Sequence, residues 1–151
     1  MIPSQTHKWA VAIAPGVIKD NAAFTATEID TIGWKHCAIA VQVGATDIAM
    51  AALKVQESNT SGSGFADVTG LIYGTSTNTA GDTSALPTAL EDNKIFEFDI
   101  DLRGRKRYLK VGATAGDGTA GTYLSGMALL SQGEKGPTTS ATRGTSQTLR
   151  I

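Results

Sequence analysis

The side chains that could do covalent or metal chemistry in this chain are few, and their spacing works against it. His7 and His36 are the only histidines and Cys37 the only cysteine. His7 falls in the N-terminal stretch ahead of the first regular element. His36 and Cys37 are neighbours on an expected strand, so their side chains leave on opposite faces and cannot share a metal ion. A nucleophilic Cys37 would need a base and an electropositive setting, and the residues around it supply neither. His36 is therefore read as structural and Cys37 as a small buried residue.

The remaining motifs resolve the same way. Asp117-Gly118-Thr119 reverses the last two positions of the Asp-Thr-Gly triplet of aspartic proteases, and Asp-Gly is an expected turn pair. No G-x-G-x-x-G run stands before an expected helix and no G-x-x-x-x-G-K-[ST] run occurs, so no phosphate cradle is expected. Asn59-Thr60-Ser61 matches a glycosylation acceptor, relevant only in a secretory pathway. The expectation is a non-enzyme with no cofactor and no metal.

Charge patterning points to contacts instead. Glu91, Asp92, Glu97, Asp99 and Asp101 form an acidic block, followed directly by Arg103, Arg105, Lys106, Arg107 and Lys110. On two adjoining strands these blocks would pair across a sheet, or present a dipolar patch to a neighbouring subunit. The C-terminal segment adds Lys135, Arg143 and Arg150 against Glu134 alone. Arg103, Arg105, Lys106, Arg107, Lys135, Arg143 and Arg150 are the candidate partner-contact residues.

The elements that must position these residues read as strands. Apolar and polar positions alternate with period two over Lys8–Ala14, Phe24–Asp30, Trp34–Val43, Met50–Ser58, Phe65–Val68 and Lys94–Leu102. Met50–Ser58 is expected to pair back on Trp34–Val43 after a turn at Gly44–Asp47. Arg107–Leu130 reads as a final hairpin turning at Ala115–Gly121, which gives about eight strands. Thr69–Asn93 is a long connection rich in Gly, Ser and Thr, of the kind that lies at contact surfaces. Val-Gly-Ala-Thr occurs at Val43–Thr46 and at Val111–Thr114, and strand-end chemistry explains both. Residues 1–130 form the sandwich domain. Residues 131–151 form an extended arm without an aromatic residue or an apolar period, too polar to offset its ordering entropy.

At 151 residues the chain is large enough for one real core. Its formal net charge of −1 lacks the field of a general nucleic-acid binder, and one cysteine permits no internal disulfide. No apolar run is long enough to span a membrane, and no basic and apolar leader opens the chain, so cytoplasmic synthesis is expected.

Two runs carry a resemblance. CAIAVQVGATDIAMAALKVQESNTSGSGFADVTG and RGRKRYLKVGATAGDGTAGTYLSGMALLSQGEKGP, together spanning Trp34–Pro137, resemble the small head proteins of tailed bacteriophages known as decoration, cement or head-stabilising proteins. The resemblance implies an antiparallel β-sandwich of the jelly-roll type that binds the major capsid protein on the virion exterior. It also implies a homo-oligomer, a trimer at local threefold positions, and stabilisation of the shell by mass action and avidity. Neither nucleic acid nor membrane is an expected partner. The alternative is a carbohydrate- or receptor-binding β-sandwich, which needs exposed aromatic rings. Trp9 and Trp34 are the only tryptophans, and both sit within strand patterns that read as core.

Overall fold

The computed structural model describes residues 6–136 and 139–149. Among these residues eight strands form two four-stranded sheets. One sheet holds, side by side, β1 (Lys8–Ile13), β8 (Thr122–Ser131), β3 (His36–Thr46) and β6 (Ile95–Asp101). The other holds β2 (Ile29–Asp30), β7 (Tyr108–Thr114), β4 (Ala52–Ser58) and β5 (Ala66–Ile72). Every pairing is antiparallel. The pairs β1·β8, β2·β7, β3·β6 and β4·β5 are nested, so the chain is one long hairpin rolled until successive pairs alternate between sheets. That strand order is a jelly roll.

The alternation in the sequence builds the core. Along β3, Cys37, Ile39, Val41 and Val43 are buried while the residues between them are not. Leu53 and Val55 of β4, Leu109 and Val111 of β7, and Ala128 and Leu130 of β8 face them from both sheets. Each fully buried aliphatic side chain of this kind contributes roughly 1.5–3 kcal/mol relative to exposure. The two Val-Gly-Ala-Thr runs end β3 and β7. Their glycines make room for neighbours: a Cβ on Gly44 would stand 2.8 Å from that of Tyr123, and one on Gly112 3.3 Å from the Lys54 side chain.

Several expectations need correcting. β7 and β8 do not form a hairpin, nor do β3 and β4, because each pair is split between the sheets. Period two specifies a strand and its faces but not its partner, and a connection crossing between sheets leaves the same pattern as a tight turn. The strand expected at Phe24–Asp30 shrinks to Ile29–Asp30, with isolated bridges at Ala23 and Ala26. β5 runs on to Ile72, which shortens the long connection, and β8 takes in Ser131.

Trp9 is the main reversal. Ala10 pairs with Ala128 and Trp9 with Leu129. Ala128 is buried, so the register with β8 turns Ala10 and Ala12 inward and Trp9 and Val11 outward. A bulge between Val11 and Ile13 then returns Ile13 to the core. Trp34 keeps the expected side, packing against the core with Gly133 beneath its ring.

Candidate interaction surface

Part of the outer face of the β1-β8-β3-β6 sheet, on β1, β8 and β3, is apolar where a monomer would ordinarily be polar. Val11 pairs with Met127 and Trp9 with Leu129, and on the far side of β8 Met127 pairs with Ala40 and Leu129 with Ala38. The pairings place all six on one face of three adjoining strands. Trp9 is 43% exposed, Val11 48% and Met127 56%, with Tyr123 at 47% two residue pairs further along β8. Exposed apolar side chains spread over adjoining strands suit a broad surface more than a small molecule. The charged residues did not reveal it. The signal was in β8, where Met127-Ala128-Leu129-Leu130 is apolar on both faces, the mark of a strand covered on both sides.

The charged blocks are dispersed instead of opposed. β6 and β7 lie in different sheets, so Arg105, Lys106 and Arg107 do not face Glu97, Asp99 and Asp101. Arg107 clamps Asp30 across β7 and β2, with Nε 2.9 Å and the second guanidinium nitrogen 2.8 Å from the two carboxylate oxygens. This contact holds the Asp30 carboxyl below its ordinary range. Arg105 reaches Glu57 at 3.7 Å, and the Lys106 backbone N–H donates to the same carboxylate. Arg103 folds back on Asp101, two residues away, and lowers its pKa to about 2. Asp92 accepts from the Thr46 N–H, while Glu91 caps the short 3-10 turn Ala89–Glu91 through Thr88. These charges tie the chain to itself.

His36 lies between two strands' side chains. Its Nδ1 is 3.0 Å from the Ser131 hydroxyl on β8, and its Nε2 hydrogen-bonds Asp99 on β6. A carboxylate only accepts, so Nε2 carries the proton. The trio has the composition of a hydrolase relay. Beside it Lys35, Asp101, Arg103 and Gln132 line a pocket with His36. The two bonds tie β8, β3 and β6 together. Cys37 points the other way, as expected, into the core, and burial pushes its thiol up to about 12. Among the described residues no three of His, Cys, Asp or Glu gather closely enough to hold a metal ion, and no helix is long and apolar enough to cross a membrane.

Asp117-Gly118-Thr119 lies in the crossover between β7 and β8, not at a hairpin tip. The carboxylate of Asp47 accepts the N–H groups of Thr119 and Ala120, and that of Asp20 the N–H of Gly118. The backbone donors, Ala120 first, hold the Asp47 carboxyl below its usual range. The crossover is thus held from two sides by carboxylates.

Beyond β8 the arm leaves the sheets and returns to them. Glu134 N–H donates to the Gly33 carbonyl at 2.9 Å. A 3-10 turn, Ala141–Arg143, then rests against β1 and closes on Gly144 in a left-handed conformation. Arg143, expected at a partner contact, is 5% exposed and faces its own subunit. Threonine hydroxyls bond one another within this segment, between Thr139 and Thr142 and between Thr145 and Thr148. Lys135 is exposed, and Arg150 lies outside the described residues.

No protein-family model matches the chain, and no characterised protein matches it as a relative.

Proposed function

We propose that this chain is a structural, non-enzymatic virion protein that binds the exterior of a tailed-phage capsid and stabilises it. The observation that supports the reading most directly is the exposed apolar face of Trp9, Val11 and Met127 on an eight-stranded jelly roll. An exposed apolar sheet face presented by a compact domain is suited to lie on another protein. Viral capsid domains are among the commonest users of this architecture. The major capsid protein is the partner in this reading, and copies act together as homotrimers. Binding only to the assembled shell stabilises it by mass action, and multiple contacts add avidity.

Co-sedimentation with emptied heads of the phage that carries the gene tests this. Wild type should pellet with the heads, and the pair Trp9→Ala with Met127→Ala should weaken binding by about tenfold or more while the melting temperature holds. Undiminished binding by the double variant would remove the face from the contact. No binding by wild type would remove the function.

One observation favours a second reading. The exposed ring of Trp9, with Tyr123 on the same face, is what a carbohydrate platform requires. Titrating oligosaccharides while following tryptophan emission decides between the two: a saturable shift lost in Trp9→Ala supports sugar binding, and a flat titration removes it.

A further inference from the structure

Among the described residues β6 is an edge strand, with no strand on its outer side. It pairs with β3 alone. The bonds at its ends show which backbone groups that pairing uses: Val43 N–H donates to the Lys94 carbonyl at 3.0 Å, and Leu102 N–H to the Lys35 carbonyl at 2.9 Å. The N–H and C=O of one strand residue leave on the same side, and the side alternates. Even-numbered residues of β6 therefore serve β3, and Ile95, Glu97 and Asp99 direct theirs away from it. The Tyr73 hydroxyl confirms the parity by donating to the Glu97 carbonyl at 2.7 Å.

A groove of about 640 Å3 runs along this edge, between β6 and the chain from Gly70 to Leu86. The ring of Tyr73 stands edge-on to Phe96 and Phe98, with centroids 5.3 and 5.1 Å away. Glu91, Glu97 and Asp99 supply the charge, and among the described residues no lysine or arginine lines it.

We propose that this groove accepts an extended, cationic polypeptide segment of a partner protein as an added strand on β6, with Tyr73 holding the place of one of its hydrogen bonds. Outward backbone groups select an extended peptide over other ligands, because only a strand offers donors and acceptors at the matching repeat. The carboxylates select basic side chains on the face that such a strand shares with Glu97 and Asp99. The chain's own arm is seated at β1, the opposite edge of the same sheet, which leaves β6 for a foreign segment. Natural sheets cover or blunt their edges, and a single hydroxyl on one carbonyl is a light cover. The inference stands apart from the capsid reading and names no particular partner.

Fluorescence anisotropy tests it on the full chain. The probe is a labelled six-residue peptide alternating lysine and valine, compared with a glutamate–valine peptide and with a lysine–valine peptide N-methylated at alternate amides. The lysine peptide should bind, and the other two should not. Glu97→Lys should weaken it by about tenfold. Tyr73→Phe keeps the ring, frees the Glu97 carbonyl and should tighten binding a few-fold. Melting curves confirm that both variants remain folded. Equal binding by the N-methylated peptide, or no change in Tyr73→Phe, overturns strand addition. Tighter binding by a peptide of residues 139–149 of this chain overturns the foreign occupant in favour of a second copy. Absence of any binding overturns the proposal, and wild-type co-sedimentation with heads would still decide the capsid reading separately.

Discussion

Gly144 lies so close to Trp9 that a Cβ on it would overlap the Trp9 carbonyl, and its φ of 71° is one that side chains disfavour. Gly144→Ala therefore meets a steric block and a left-handed backbone cost of roughly 1–2 kcal/mol together. The arm should lift from β1 while the sandwich stays folded. Trypsin checks this: Arg143 is buried in the seated arm, so cleavage after it should be slow in wild type and fast in the variant. Equal cleavage rates would mean the arm is not held there. Removing residues 137–151 uncovers part of the β1 edge and should lower the melting temperature measurably.

Arg107 and Asp30 join β7 to β2, a strand of two residues. Arg107→Glu should lower the melting temperature more than Lys106→Glu, whose side chain makes no such clamp. Adding Asp30→Lys to Arg107→Glu should recover part of the loss. Reversals that cost the same at both positions would show that the clamp contributes nothing.

Acid should destabilise the fold in a definite window. Asp30 (through Arg107), Asp47 (through Ala120 N–H), Asp67 (through Lys54), Glu91 (through Thr88) and Asp101 (through Arg103, to about 2) all titrate below their ordinary 3.8 or 4.5. With each folded pKa depressed, the native state binds fewer protons than the unfolded chain. The stabilisation is complete above the unfolded values and is lost as pH falls through the folded ones. Melting temperature should be nearly level from neutrality to about pH 5 and drop below about pH 4. Asp47→Asn should flatten part of that drop, and an unchanged profile would deny the crossover's carboxylate its role.

Cys37 should be silent in the native protein. Burial in the core raises its pKa to about 12, so almost no thiolate exists near neutrality. A disulfide reagent at pH 8 should modify it only after denaturant unfolds the chain. Rapid native modification would place Cys37 outside the core.

Ser131, His36 and Asp99 give the non-enzymatic reading its direct test. A fluorophosphonate probe should leave Ser131 unlabelled. His36→Ala should cost up to about 1 kcal/mol through the lost cross-strand bonds. Labelling at Ser131 that disappears in His36→Ala would make the trio a nucleophile site.

Much of the fold was legible one residue at a time. Alternation marked β3, β4, β6, β7 and β8 because a buried strand face must repeat every second residue. The glycine- and threonine-rich stretches marked the connections for the same local reasons. The candidate contacts were less legible. Charge blocks stand out in a sequence, yet Arg107 meets Asp30 and Arg105 meets Glu57, partners far away along the chain. Those meetings depend on which sheet each strand joins, and no local pattern records that.

By itself, then, the amino-acid order determined an all-β chain of about eight strands, the inward faces of most of them, and a small buried Cys37. These follow from side-chain polarity and the two-residue repeat. The tertiary structure alone decided that neighbouring strands part company between sheets and that Trp9 turns outward. It also decided that His36 bridges Ser131 and Asp99, that the arm returns to β1, and that β6 is left with an open edge. Each of these is a matter of register and partner choice. Such choices minimise the free energy of the whole packed core, through contacts between residues that local sequence does not connect.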